Sequence, residues 1–87
     1  MAGYRLVIKT SAVKELERVE PRTLRRRRVA AIEALAVDPR PPGCEKLAGA
    51  VAAYRVRQGD YRAVYTIDDK ARTVLLVKVG HRREVYR

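Results

Sequence analysis

The second half of the chain holds three strand-like segments joined by two short turns, and this pattern constrains the fold most. The segments run from Ala53 to Gln58, from Tyr61 to Ile67 and from Thr73 to Gly80. Gly59 and Asp60 separate the first two, and glycine at the first central position is typical of a type II′ hairpin turn. The pattern predicts an antiparallel three-stranded meander. Val74 to Val79 is apolar enough to predict a central strand covered on both faces.

The first half predicts one strand and two helices. These are a strand from Tyr4 to Ile8, a helix from about Ala12 to Val19 and a helix from Pro21 to about Val37. Thr10 and Ser11 are expected N-cap residues of the first helix. Pro21 suits the first turn of the second helix, and Asp38 ends it because a residue before proline avoids the helical region.

These elements predict a single α+β domain over residues 1–87: a strand, a helical hairpin and the meander. The helices are expected to cover one face of a four-stranded sheet and to leave the other partly open. A Pro/Gly-rich connection from Arg40 to Gly49 links the halves. Cys44 is the one cysteine, so no internal disulfide forms. No apolar run approaches membrane-spanning length, and a cytoplasmic location is expected.

Charge points to the class of partner. The chain has 20 Lys and Arg against 10 Asp and Glu, a net charge of +10. A compact domain with this charge repels itself, so a polyanion such as RNA, DNA or an acidic protein is expected. Four of the arginines, Arg25 to Arg28, are consecutive in the second helix. Consecutive helical residues point in different directions. A solvated face is the simpler interpretation, and a secondary contact with RNA phosphate is the alternative.

The sharpest local signal is a set of three arginines on the first hairpin. Arg55 and Arg57 share one face of their strand because side chains alternate. A two-residue turn at Gly59 places Arg57 directly opposite Arg62, and opposed like charges destabilise a sheet. A phosphate between them would convert this repulsion into attraction, because guanidinium groups match phosphate oxygens. Three solvated arginines on an exposed face are the alternative.

Further polar groups follow the last strand, namely His81, Arg82, Arg83 and Tyr86. No metal-ligand spacing, phosphate loop or nucleophile motif accompanies them, so neither a metal nor another cofactor is expected. Arginines together with His81 and Tyr86 suit cleavage of RNA by attack of its own 2′-hydroxyl on the adjacent phosphate. Arginines would stabilise the phosphate charge but cannot accept a proton, so His81 or Tyr86 would carry the proton transfer.

Two segments resemble the RelE branch of the RelE/ParE toxin superfamily. They are Tyr54-Arg-Val-Arg-Gln-Gly-Asp-Tyr-Arg-Ala-Val-Tyr-Thr-Ile and Val77-Lys-Val-Gly-His-Arg-Arg-Glu-Val-Tyr. The resemblance spans nearly the whole chain. It implies the toxin of a type II toxin–antitoxin pair: an endoribonuclease that cuts mRNA on the ribosome without metal. It also implies a cognate antitoxin, typically an extended and partly acidic chain.

The resemblance also implies roles for single residues. Arg62 resembles the arginine that stabilises the attacked phosphate, and Arg82 the one that assists the leaving oxygen. Tyr86 resembles the tyrosine that orients RNA or helps activate the 2′-hydroxyl. Arg55 and Arg57 stand where some members have lysines, so a lysine general base does not carry over. His81 stands where others have lysine or histidine, and either proton transfer or a structural or RNA-contact role is open to it.

Two rival functions share this fold or this charge. A ParE-like protein would inhibit DNA gyrase and cut nothing, and fold alone does not separate it from RelE. A non-catalytic RNA-binding protein would bind RNA in a salt-dependent manner without cleavage. The combination of Arg62, Arg82 and Tyr86 favours the nuclease.

Overall fold

The structure is a computed structural model that describes residues 3–47, 49, 53–59 and 61–81, with the side chains of Gln58 and His81 outside the description. The elements are β1 (Arg5–Ile8), α1 (Thr10–Glu17), α2 (Arg22–Ala34), β2 (Glu45–Lys46), β3 (Ala53–Gln58), β4 (Tyr61–Asp68) and β5 (Thr73–His81). The predicted α+β order is therefore confirmed. Neither α1 nor α2 has the length and apolar character that a membrane-crossing helix needs.

The sheet has five strands in the order β1-β5-β4-β3-β2. Strands β3, β4 and β5 form the predicted antiparallel meander, and β1 adds to β5 in parallel. The prediction of four strands was wrong by one. Strand β2, at Glu45–Lys46, lies inside the predicted connection and pairs with β3. Two residues are too few to show a periodicity, so this strand depends on its neighbour.

Both helices differ from the sequence prediction at their ends. The N-cap of α1 is Lys9, which makes no side-chain cap hydrogen bond, so the predicted capping by Thr10 or Ser11 was wrong. Helix α2 ends at Ala34, before the predicted end at Val37. The carbonyl oxygen of Ala36 accepts the backbone N–H of Tyr4 at 2.7 Å. This bond joins the chain after α2 to the start of β1.

The core lies between the helices and one face of the sheet. Its buried members are Ala12, Leu16, Ile32, Leu35, Tyr54, Ala63, Tyr65, Ile67, Val74, Leu76 and Val79. Alternate residues of β4 point into this core and away from it. On β5, Leu75 and Lys78 are only half-buried. The prediction that this strand is covered on both faces therefore holds for the helix side alone, and the opposite face of the sheet is open.

A polar network fastens the sheet at the β4–β5 turn. The Arg40 guanidinium contacts both carboxylate oxygens of Asp69, at 3.3 and 2.9 Å, and its Nε donates to the Tyr54 hydroxyl at 3.2 Å. The Tyr4 hydroxyl donates to the same carboxylate at 2.6 Å. These hydrogen bonds hold the pKa of Asp69 below its usual range, with the Arg40 bond the largest cause. This end of the sheet is tied to the chain between α2 and β2.

Candidate functional site

The hairpin of β3 and β4 has the register that the sequence predicts. Arg57 is the direct partner of Arg62, and Gln58 is the partner of Tyr61. Gly59 has a φ of 59°, in the left-handed region that glycine adopts without steric cost. The two-residue turn therefore places two arginines opposite each other across the hairpin.

The open face of the sheet continues from this pair. Arg62 is also the register partner of Gly80 on β5, so the position beside it on that strand carries no side chain. One row further along, Val64 lies between Arg55 and Lys78. Directly opposed residues project to the same face, so this face combines three arginines with a lysine. Sequence reasoning missed Lys78, although its place two residues before Gly80 was a usable signal.

The three arginines have different surroundings. The Arg55 side chain is 15% exposed, and its Nη2 lies 3.1 Å from the Glu45 carboxylate of β2. Arg57 is exposed, and its Nε donates to the carbonyl oxygen of Gly59 at 3.3 Å. Arg62 is half-buried, with its Nε enclosed. Arg55 is therefore neutralised by a carboxylate, while Arg57 lies at the solvent-facing side of the hairpin.

The arginine run of α2 is only partly a solvated face. Arg26 and Arg27 are exposed, as the simpler interpretation predicts. Arg28 instead turns toward the sheet, where its guanidinium carbon lies 4.3 Å from the centre of the Tyr61 ring. Such a cation–π contact contributes about 0.5–1 kcal/mol at exposed sites. Arg28 thus packs against Tyr61 at the start of β4, next to Arg62.

The C-terminal candidates lie mostly beyond the described residues. His81 ends β5 and is the register partner of Tyr61, but its side chain is not described. Arg82, Arg83 and Tyr86 lie outside the described residues altogether. Their convergence with Arg62 therefore stays a prediction.

The chemistry that this face can perform is set by its cations. Paired guanidinium groups stabilise the extra negative charge of a phosphate under attack. Within residues 3–47, 49, 53–59 and 61–81, no group of three His, Cys, Asp or Glu residues is placed to hold a metal ion. Cys44 is half-buried with a free thiol. The described cations on this face that could stabilise such a charge are Arg55, Arg57, Arg62 and Lys78.

Comparisons with known proteins place the chain among toxins. A family model described as the ParE toxin of the type II toxin–antitoxin system parDE matches residues 6–86. Toxin RelG of Mycobacterium tuberculosis is 31% identical over 84 residues, which are 97% of each chain.

Solved structures agree in fold. The RelE of an archaeal RelE–RelB complex from Pyrococcus horikoshii superposes with a TM-score of 0.81 and 31% identity, covering 94% of this chain and 97% of the other. The isolated RelE toxin of E. coli gives a TM-score of 0.70 and 31% identity, covering 95% of this chain and 90% of the other. The similarity extends over essentially the whole domain.

Proposed function

Because the chain belongs to the RelE/ParE superfamily as a RelE-type toxin of a type II toxin–antitoxin system, we propose that it is an endoribonuclease that cleaves mRNA without a metal ion. The cut is made in the decoding site of the ribosome. The site of action is therefore the cytoplasm.

The reaction is an internal transfer at phosphorus. The 2′-oxygen attacks the adjacent phosphorus, its proton passes to a base, and the bond to the 5′-oxygen breaks as that oxygen takes up a proton. The products are a 2′,3′-cyclic phosphate and a 5′-hydroxyl. Arg62 stabilises the charge on the phosphate, and Arg82 assists the leaving oxygen. Tyr86 or His81 moves the protons, because a guanidinium group stays protonated.

The observation that carries this proposal is the direct pairing of Arg57 with Arg62 on the open face. Opposed like charges cost folding stability, and a bound phosphodiester removes that cost. Arg57 and Arg83 hold the flanking phosphates. Arg55 has a smaller part in phosphate binding than its position alone suggests, because Glu45 already neutralises it.

An antitoxin is the second partner that we propose. The Pyrococcus horikoshii relative was crystallised with RelB. The net charge of +10 favours an acidic partner, and the small size of the domain leaves its core with little reserve of stability. A segment that folds on this surface would both cover the arginines and enlarge the buried core.

The test is controlled expression in bacteria, with mRNA cleavage mapped by primer extension. The wild-type chain should stop growth and produce discrete mRNA ends. Arg62→Ala and Arg82→Ala should abolish both effects, and Tyr86→Phe should reduce cleavage. Arg26→Ala, on the exposed side of α2, is the matched control and should stay toxic. Full toxicity of all three site variants would contradict the proposal.

Inhibition of DNA gyrase is the second candidate, because the matching family model is that of the ParE toxin. The two functions give different early signs. A gyrase inhibitor induces the DNA-damage response and leaves mRNA intact, whereas a nuclease halts translation and shortens mRNA. A non-catalytic RNA-binding protein would bind RNA with strong salt dependence and leave both DNA and mRNA intact.

A further inference from the structure

A small polar recess lies beside the far end of β5, on the helix side of the sheet. It exists because β1 stops at Ile8, the partner of Leu76, whereas β5 continues to His81. Helix α1, not a strand, therefore borders the last part of β5. The recess measures about 190 Å³. Its described lining residues are Glu15, Arg18, Tyr61, Val79 and Gly80.

One wall of the recess carries a carboxylate that contacts the backbone of β5. Glu15 Oε1 accepts the backbone N–H of Val79 at 3.4 Å, and Val79 is 2% exposed. Arg18 follows three residues later and shares this side of the helix. Neither ion pair between described residues includes Glu15 or Arg18. An acceptor and a donor of opposite charge therefore border the same opening.

The other wall is aromatic. Tyr61 is half-buried, and the guanidinium of Arg28 lies over its ring at 4.3 Å. This contact limits the rotation of the ring. A ring held in this way is a surface on which a nucleobase can stack, a contact that contributes about 1–3 kcal/mol per base. The recess thus combines a stacking surface with hydrogen-bonding groups of both kinds.

We propose that this recess binds a single guanine base of the RNA strand. Guanine presents two adjacent N–H donors, N1–H and the 2-amino group, and these match a carboxylate such as that of Glu15. Its O6 and N7 are acceptors that an arginine contacts as a pair, the part that falls to Arg18. The recess is smaller than the roughly 300 Å³ at which pockets for whole ligands begin, so it suits one base.

The position of the recess connects it with the nuclease site, and this inference rests on the proposed function. Gly80 lines the recess and is the register partner of Arg62. The two sites therefore lie on opposite faces of the same end of the sheet. A strand that passes around this end would place a base in the recess while a neighbouring phosphate reaches the arginines. The recess would then determine a base preference near the cut.

Binding of short RNA tests the inference without relying on cleavage. The probes are uridine tetranucleotides with one central position changed to guanine, inosine or adenine. All carry 2′-O-methyl groups, which remove the attacking hydroxyl. The full chain should bind the guanine probe about 10-fold more tightly than the adenine probe. Inosine lacks the 2-amino group and should bind with intermediate affinity.

Two variants separate the roles of Glu15 and Arg18. Glu15→Gln keeps an oxygen for the Val79 N–H but replaces the second acceptor with a donor, so it should abolish the difference between guanine and inosine. Arg18→Gln should weaken binding of the guanine and inosine probes about equally, because both bases carry O6 and N7. Glu17→Gln removes the same charge from the same helix outside the recess. It should leave the order of affinities unchanged.

Two results would overturn the inference. One is equal affinity of the wild-type chain for the guanine and adenine probes, and the other is a preference for guanine over inosine that survives in Glu15→Gln. The proposed function fails separately. If the chain cleaves RNA but shows no guanine preference, the proposed nuclease function holds and the inference about the recess fails. If the chain cuts no RNA but its preference for guanine over inosine is lost in Glu15→Gln, the proposed function fails and the inference about the recess holds.

Discussion

The two ends of the sheet use arginine in opposite ways. At the β4–β5 turn, Arg40 is held by the Asp69 carboxylate and the Tyr54 hydroxyl, and Arg72 lies over the ring of Tyr4 at 4.9 Å. At the β3–β4 hairpin, the register places Arg57 directly opposite Arg62. The first end gives Arg40 a carboxylate partner in Asp69, whereas the second places two strand arginines directly opposite each other.

The difference separates residues that hold the fold from residues that hold a ligand. Carboxylate and hydroxyl partners at the first end offset the charge of Arg40 within the folded chain. At the second end, an anion bound between Arg57 and Arg62 would reduce the repulsion between the two guanidinium groups. Changes at the first end should therefore alter stability at constant activity, and changes at the second should alter activity at nearly constant stability.

The largest effect is expected from Arg62→Ala. Loss of one preorganised group that stabilises transition-state charge lowers a rate by about 100-fold to 1,000-fold. We expect a loss of this size in RNA cleavage on ribosomes, measured by primer extension against time. Thermal unfolding should change little, because relief of the repulsion between Arg57 and Arg62 offsets the lost packing of the half-buried Arg62 side chain. A variant that unfolds, or that cleaves at the wild-type rate, would contradict the assignment of the hairpin end to activity and of the β4–β5 end to stability.

Arg40→Ala should show the opposite behaviour. It removes the paired contacts with Asp69 and the hydrogen bond to Tyr54. Because the Arg40 side chain is 42% exposed, solvent screens these contacts, and the expected loss is about 1 kcal/mol of unfolding free energy. Chemical denaturation measures this loss. Cleavage at 25 °C should stay within about twofold of the wild-type rate, since a loss of this size leaves nearly all of the chain folded.

The pH dependence of stability is a second test of the β4–β5 end. The pKa of Asp69 is lowered in the folded chain, mainly by its hydrogen bond from Arg40. Its ionised form therefore stabilises the fold above the unfolded pKa of about 4, and this contribution is lost as the pH falls through the lower folded pKa. Asp69→Asn should lower the Tm at pH 7 and leave it nearly unchanged at the acid end. Glu33→Gln, exposed on α2, should lack this pattern.

The smallest effect is expected from Arg57→Thr. Removing one of two opposed like charges, and adding a β-branched residue in a strand, should raise the unfolding free energy by about 0.2–1 kcal/mol. RNA affinity should fall at the same time, with a shallower dependence on salt because one phosphate contact is gone. Filter binding at several salt concentrations measures this slope. A less stable variant would show that Arg57 supports the fold.

Much of the fold was predictable because its signals are local. The alternation along β3 and β4, together with the glycine of the turn, predicts the hairpin and its register. Strand β2 was not predictable, because Glu45 and Lys46 form a strand only beside β3. The start of α1 was also missed, since Lys9 precedes the helix without capping it through its side chain.

The candidate site divides in the same way. Arg57 and Arg62 were predictable as a pair, since a short turn determines which residues face each other. Lys78 on the open face was missed because the surrounding strand, Val74 to Val79, is otherwise apolar and was interpreted as buried. Glu15 and Arg18 could not be connected with Tyr61 from spacing alone, because α1 and β4 are distant in the chain. Their proximity depends on where β1 ends relative to β5.

Three features could be predicted without coordinates, namely the class of the domain, the opposition of two arginines across a hairpin and the resemblance to RelE toxins. The first two follow from periodicity and turn chemistry, which act between neighbours in the chain, whereas the resemblance depends on the two segments that begin at Tyr54 and Val77. Tertiary structure alone decided that Glu45 neutralises Arg55, that Arg28 covers Tyr61 and that a recess opens beside β5. Each of these depends on packing between distant segments, where the position of a side chain is set by the surfaces that enclose it.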